Sequence, residues 1–336
     1  MTRQATSVLI MGGSGQAGAG TAALLRRWYP ELELTIAGRD IERARRVAES
    51  LGGANAVTID ITRADLGLPA DVAYSAVIAA LWDDHLHGLG FAARHGVPYL
   101  SLSSGLLDIA PEVVAGSGRA SAAPILLASH YLAGIVVLAT LAVAAEFDRV
   151  ERIGIAAALD DSDIGGPAGI ADLERWSAVT TAGLIRRDGV FTWVSGDDAR
   201  ADVRVGDGVV LAGQSIPILD VPSLALATGA PNVRFDLAVG ESAGRRRGAG
   251  ASLEVVIDVE GTDFSGAAAR VRRTLAHPDG QRPLTALGIA LGVERLLGLR
   301  GAAVPPGVHL PEALIDPAYA LERMAHSGAT FEETAA

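Results

Sequence analysis

Gly13, Gly15 and Gly18 follow the apolar run Ser7 to Met11 in the spacing G-x-G-x-x-G, and Gly12, Gly15 and Gly18 give the overlapping G-x-x-G-x-x-G. Such glycines act through what they lack. The first lets the chain turn sharply out of a strand, the second lets the backbone approach a pyrophosphate, and the third lets a helix pack closely, with the anion at the helix N-terminus. The turn Gly12, Gly13, Ser14, Gly15, Gln16, Ala17 and Gly18 is therefore a candidate dinucleotide site. In a chain with 40 glycines the spacing alone is a weak signal. Its place after a strand and ahead of a helix is what gives it weight.

About twenty positions further on, a dinucleotide fold carries an acid for a ribose 2′-hydroxyl or an arginine for a 2′-phosphate. Here "TIAGRD" places Gly38 and Arg39 at that point. Asp40 directly precedes a helical run and suits an N-cap. The expected cofactor is NADP. For proton transfer the chain offers "ASHYLAG", with His130 and Tyr131, and "LWDDHLHG", with Asp83, Asp84, His85 and His87. Both follow strand-like runs, where ligands of open α/β sheets bind. His130 is the preferred acid and Tyr131 its alternative. Asp83 and Asp84 read as the first turn of a helix, with His85 and His87 on different sides of it, so no metal is expected. "ALDDSDIGG" and Arg186 with Arg187 read as solvated loops with a smaller claim on a carboxylated substrate.

Composition removes many alternatives. There is no cysteine, and all 28 basic residues are arginine. Disulfides, thiolate metal sites, Schiff bases and Tyr-x-x-x-Lys chemistry are thus excluded. The net charge of −11 argues against nucleic acid, the one dense basic run being "GRRRG" at Gly244 to Gly248. No apolar run is long enough for a signal peptide or a membrane span, so a soluble, cytoplasmic protein is expected.

Strand and helix patterns alternate through the first half: Ser7 to Met11, a helix with Ala19, Leu24 and Trp28 inward, Leu32 to Gly38, a helix from Ile41, then "AVTIDIT", "VAYSAVIAAL", "PYLSL" and Pro124 to Ser129. This predicts an α/β, Rossmann-type, doubly wound parallel sheet over 1–148. From Val150 the pattern changes to long strands, "VERIGIAAAL", "VFTWV", "GVVLAG", "NVRFDLAV", "SLEVVIDVEG" and "AARVRRTLA", with helices near Ile170 to Ile185 and Pro283 to Leu297. A second α+β domain on a mixed or antiparallel sheet is expected over 149–300, with 301–336 packing back on the first.

"VLIMGGSGQAG", "ELELTIAGRD", "AVTIDIT", "GLGFAARHGVPYLSLS" and the tail "GQRPLTALGIALGVERLLGLRGAAVPPGVHLPE" resemble the successive segments of the saccharopine dehydrogenase-like oxidoreductases. The resemblance spans nearly the whole chain. It implies that Asp60 and Ile61 lie beside the adenine, that Ala80 and Leu81 line the path to the nicotinamide ribose, and that the second domain forms a homodimer. It also implies NADPH-dependent hydride transfer at a C=N, C=O or enamine group of a small, amino-acid-derived metabolite. The lysine-dependent chemistry of the lysine-forming members has no residue here to carry it. The other reading is an NADP-binding sensor or scaffold without turnover.

Overall fold

The computed structural model describes residues 7–102, 105–106, 108–118, 122–163, 170–171, 174–175 and 181–334. They belong to two compact units, one of residues 1–129 with 285–315 and one of 130–284 with 316–336.

The first unit carries β1 (Ser7–Met11), α1 (Gln16–Trp28), β2 (Leu34–Gly38), α2 (Ile41–Ser50), β3 (Asn55–Thr58), β4 (Tyr74–Ala79), α3 (His87–His95), β5 (Tyr99–Ser101), α4 (Ile109–Ser117) and β6 (Pro124–Leu127). Its sheet runs β3, β2, β1, β4, β5, β6 and then a seventh strand, Gly307–His309, all parallel. This is the doubly wound order, with the direction of winding reversing beside β1. Every residue of β1 and β2 is buried, which is why these strands read as unbroken apolar runs.

The inward stripe of α1 differs from the expected one. Gly18, Thr21, Ala22 and Leu25 are buried, whereas Ala19, Leu24 and Trp28 are half-buried. The close seat of Gly18 on the preceding turn sets that rotation. α3 likewise starts later than expected, at His87, so Asp83 and Asp84 lie in the turn ahead of it.

The second unit contains α5 (Ile135–Ala144), β7 (Arg149–Asp160), β8 (Gly183–Arg187), β9 (Val190–Val194), β10 (Arg200–Arg204), β11 (Val210–Ser215), α6 (Asp220–Thr228), β12 (Asn232–Gly240), the short α7 (Ala243–Arg246), β13 (Leu253–Thr262) and β14 (Ala268–His277). After α8 (Arg282–Leu296), which begins here and continues into the first unit, come β15 (Gly307–His309), α9 (Pro311–Leu314), α10 (Pro317–His326) and β16 (Thr330–Glu333). The sheet order is β10, β11, β12, β7, β13, β14, β16, with β8 attached to β12 and β9 to β8. Only β12 and β7 run parallel, so the sheet is mixed.

β13 shows the period of two: Leu253, Val255, Ile257 and Val259 are buried, while Asp258 and Glu260 face Arg270 and Arg272 of β14. Asp188 and Gly189, both at positive φ, make the tight turn between β8 and β9. The helix expected over 170–185 falls partly outside the described residues, and Gly183 to Ile185 are in strand. The division of the chain comes at Ser129/His130, ahead of Asp148, because α5 is buried along most of its length against α6, α10 and β13. Residues 301–336 are shared, those up to Ile315 with the first unit and those from Asp316 with the second. Among the described residues, no helix is long and apolar enough to cross a membrane.

Candidate functional site

The glycine turn is held by the backbone. The Gly13 N–H donates to the carbonyls of Ile10 (3.0 Å) and Ala37 (3.1 Å), and the Gly15 N–H to that of Gly12 (2.8 Å). Gly12 sits at φ +71°, a conformation that costs an L side chain energy. A Cβ on Gly18 would stand 2.5 Å from the Gly12 oxygen and 2.7 Å from the Gly13 Cα. One on Gly12 would stand 2.8 Å from the Ala80 oxygen, which shows how closely the turn lies on the end of β4. Gly15 is different. It has negative φ, and a Cβ there would meet only the Gly12 oxygen, at 3.1 Å. Gly15 is also the N-cap of α1, no side chain caps that helix, and its first turn contains no acid. The first amides of this helix therefore have no side-chain partner among the described residues.

At the end of β2, Arg39 is exposed and its guanidinium makes no ion pair or hydrogen bond among the described residues. Asp40 is the N-cap of α2, its carboxylate accepting from the Arg43 N–H at 3.1 Å. On the next loop, Asp60 accepts from the amide and hydroxyl of Thr62 (3.0 and 2.7 Å), which hold its carboxyl below the usual range. The carbonyl of Ile61 accepts from Nδ1 of His87 at 2.8 Å, tying this loop to α3. Ala80 and Leu81 are half-buried.

Past β4, Asp83 is buried and accepts from the Leu89 N–H and the Tyr99 hydroxyl, both at 3.1 Å. It therefore supports α3 from outside the helix. His85 pairs with Asp84 at 2.7 Å, and its ring lies 5.3 Å from that of His87. The two imidazoles are neighbours because only His87 is helical and Leu86 ahead of it is left-handed. Among the described residues there is no group of three metal-ligating side chains.

In the second unit, His130 is 5% exposed and its Nε2 lies 2.8 Å from Oγ of Ser223. Burial strips water from the charged imidazole and pushes its pKa down to about 3, so the ring is neutral near pH 7. It holds no spare proton there, which alters the role expected for it. The Tyr131 N–H donates to the buried Asp220 carboxylate at 2.9 Å, and its ring meets Phe235 edge-on. Burial, with the charges of Asp163 and Asp220, raises the Tyr131 phenol well above its ordinary value. Neither His130 Nδ1 nor the Tyr131 hydroxyl has a partner among the described residues. Leu132, Ala133 and Gly134 follow at φ 52°, 54° and 91°. Ser223 and Asp220, one turn apart on α6, carried no motif, since their significance comes only from the dipeptide they meet.

Of the acidic run, Ile164 to Gly166 lie outside the described residues, and Asp160, Asp161 and Asp163 are bonded within the chain. Asp160 is buried; burial raises its carboxyl, but bonds from Ser162 and Ser242 outweigh that and hold it below the usual range, beside Arg245 at 3.0 Å. Asp163 accepts from the Gln281 N–H at 2.6 Å and lies 3.2 Å from Arg282. Arg186 donates to the carbonyls of Ala225 and Ala230 at the end of α6, and Arg187 reaches Asp198 at 3.9 Å. Of the "GRRRG" arginines, Arg245 and Arg246 are ion-paired, to Asp160 with Asp161 and to Asp207.

No protein-family model matches the chain, and no curated protein matches it by sequence. Among solved structures it is similar to saccharopine dehydrogenase (L-Glu forming) from Saccharomyces cerevisiae, at 13% identity and a TM-score of 0.66, covering 98% of this chain and 100% of that one. It is also similar to a myo-inositol dehydrogenase from Corynebacterium glutamicum (15%, TM-score 0.48, 99% and 100%) and to a dehydrogenase from Chromobacterium violaceum (14%, 0.47, 96% and 94%). The first of these likenesses establishes a shared fold.

Proposed function

We propose that the protein is an NADP-dependent oxidoreductase acting on a carbonyl, imine or enamine group of a small metabolite. The observation that carries this reading is Gly15. It is the N-cap of α1, it puts no side chain over the first amides of that helix, and no other side chain caps them among the described residues, which suits a pyrophosphate. The residues fit the cofactor: the turn from Gly12 to Gly18 would take the pyrophosphate, Arg39 the 2′-phosphate, the Asp60 and Ile61 loop the adenine, and Ala80 with Leu81 the nicotinamide ribose. When bound, the nicotinamide supplies a hydride acceptor or donor. The chain's own part is to orient it and, through His130 or Tyr131, to offer a hydrogen bond at the reacting group. A homodimer through the second sheet goes with this reading, supported by exposed Val190, Phe191 and Trp193 on β9.

Calorimetric titration of NADPH and NADH tests the cofactor. Wild type should prefer NADPH. Arg39→Ala should lose ~10- to 100-fold in NADPH affinity with NADH little changed, and Gly15→Val should bind neither while keeping its thermal transition. If Gly15→Val binds NADPH like wild type, the turn is not a nucleotide site. One observation favours the sensor reading: His130, the preferred acid, is neutral and its Nε2 is engaged. Reduced-nicotinamide absorbance followed against a panel of oxo acids and amines separates the two, since only an enzyme consumes cofactor.

A further inference from the structure

Ser14 occupies a corner in which its hydroxyl meets no hydrogen-bond partner among the described residues. The turn and the end of β2 are in register: Met11 pairs with Ala37, and the Gly13 N–H bonds the Ala37 carbonyl at 3.1 Å. One residue beyond that bond on each side stand Ser14 and Gly38, and next comes Arg39. A Cβ built on Gly38 would lie 3.2 Å from the Ser14 hydroxyl oxygen. Gly38 has no positive φ to require glycine, and beyond its two chain neighbours Ser14 Oγ is the only atom among the described residues that such a Cβ would approach within 4 Å. The Ser14 hydroxyl, half-buried, makes no hydrogen bond among the described residues. The nearby acid, Asp40, is turned to the cap of α2.

We propose that the Ser14 hydroxyl is the second donor of the 2′-phosphate seat, acting with Arg39, and that Gly38 is kept without a side chain so that this hydroxyl holds its position. The inference rests on the NADP reading above and adds a specificity residue to it. A phosphate dianion presents three strong acceptors, so a planar guanidinium leaves at least one for a hydroxyl. NADH offers only a 2′-hydroxyl there, and a neutral bond of that kind gains about half as much.

The test is a set of dissociation constants for NADPH and NADH with Ser14→Ala, Gly38→Ala and the double variant, alongside Arg39→Ala. Ser14→Ala is expected to weaken NADPH ~10-fold and NADH less than ~2-fold. Gly38→Ala should weaken NADPH in the Ser14 background and do much less once Ser14 is alanine, because the group it displaces is gone. Equal loss for both cofactors in Ser14→Ala would assign the hydroxyl to the pyrophosphate and overturn the proposal. An unchanged NADPH constant in Ser14→Ala, with Arg39→Ala still discriminating, would overturn it and leave the NADP reading intact. If Arg39→Ala leaves both constants unchanged, the NADP reading itself fails.

Discussion

The turn from β1 into α1 and the segment from β6 into α5 both carry the chain from a strand to a helix, and they are built in opposite ways. The first uses glycines, holds itself by backbone bonds, and leaves the Ser14 hydroxyl, the Arg39 guanidinium and the first α1 amides without a side-chain partner among the described residues. The second forces Leu132 and Ala133 into left-handed backbone and fastens His130 and Tyr131 to Ser223 and Asp220. An opening made of backbone leaves polar groups for a ligand. A segment made of buried side chains turns them inward, and the acid that the sequence suggested, His130, is fastened to Ser223.

Breaking the first region should have the largest effect. Gly18→Ala places a Cβ 2.5 Å from the Gly12 carbonyl oxygen and should cost about 3 kcal/mol in urea unfolding, whereas Gly15→Ala, whose Cβ would stand 3.1 Å from the same oxygen, should cost less. Similar losses at both sites would show that the two glycines are equally tightly seated.

His130 gives the next effect. Its folded pKa lies below its ordinary 6.5, so the unfolded chain takes up a proton first as pH falls. Its contribution is complete above about pH 6.5 and is lost toward pH 3, at about 1.4 kcal/mol per pH unit. Relative to pH 7, wild type should lose about 2 kcal/mol more than His130→Gln by pH 5. Parallel stability curves for the two proteins would mean that the ring titrates normally.

Asp40→Ala removes the cap of α2 and should lower stability by about 1 kcal/mol without weakening NADPH. A loss of NADPH affinity would give Asp40 a part in holding the cofactor. The smallest effect is at Ala133. Glycine there relieves left-handed backbone worth about 1–2 kcal/mol, so Ala133→Gly should be neutral or stabilise by up to about 1 kcal/mol. Ala139→Gly inside α5 should cost about 1 kcal/mol. Equal losses would show that the turn is not strained.

The sequence made the first unit legible because its information is local. Strand runs buried on both faces, a glycine spacing and an Asp40 cap each lie within a few residues. The long strands of the second unit were readable for the same reason. β10 and β8 were not, since Arg200 to Arg204 and Gly183 to Arg187 mix arginine with apolar residues on edge-like strands. The helical stripe of α1 was misplaced because Gly18, a residue without hydrophobic weight, fixes which side faces in. Ser223 lies 93 residues from His130, and no spacing rule spans that distance. The nearness of His85 and His87 depended on Leu86 taking a left-handed conformation that its residue type does not announce.

The last thirty residues complete both sheets: β15 is the edge strand of the parallel sheet and β16 that of the mixed one. Neither sheet therefore has all its strands until residues 307–333 have been made. Until residues 307–333 emerge, β6 and β14 each present an unpaired edge, the kind of surface on which nascent chains associate wrongly. The order of synthesis thus has one stretch of chain supply an outer strand to each sheet, and a chain stopped near residue 300 would lack both.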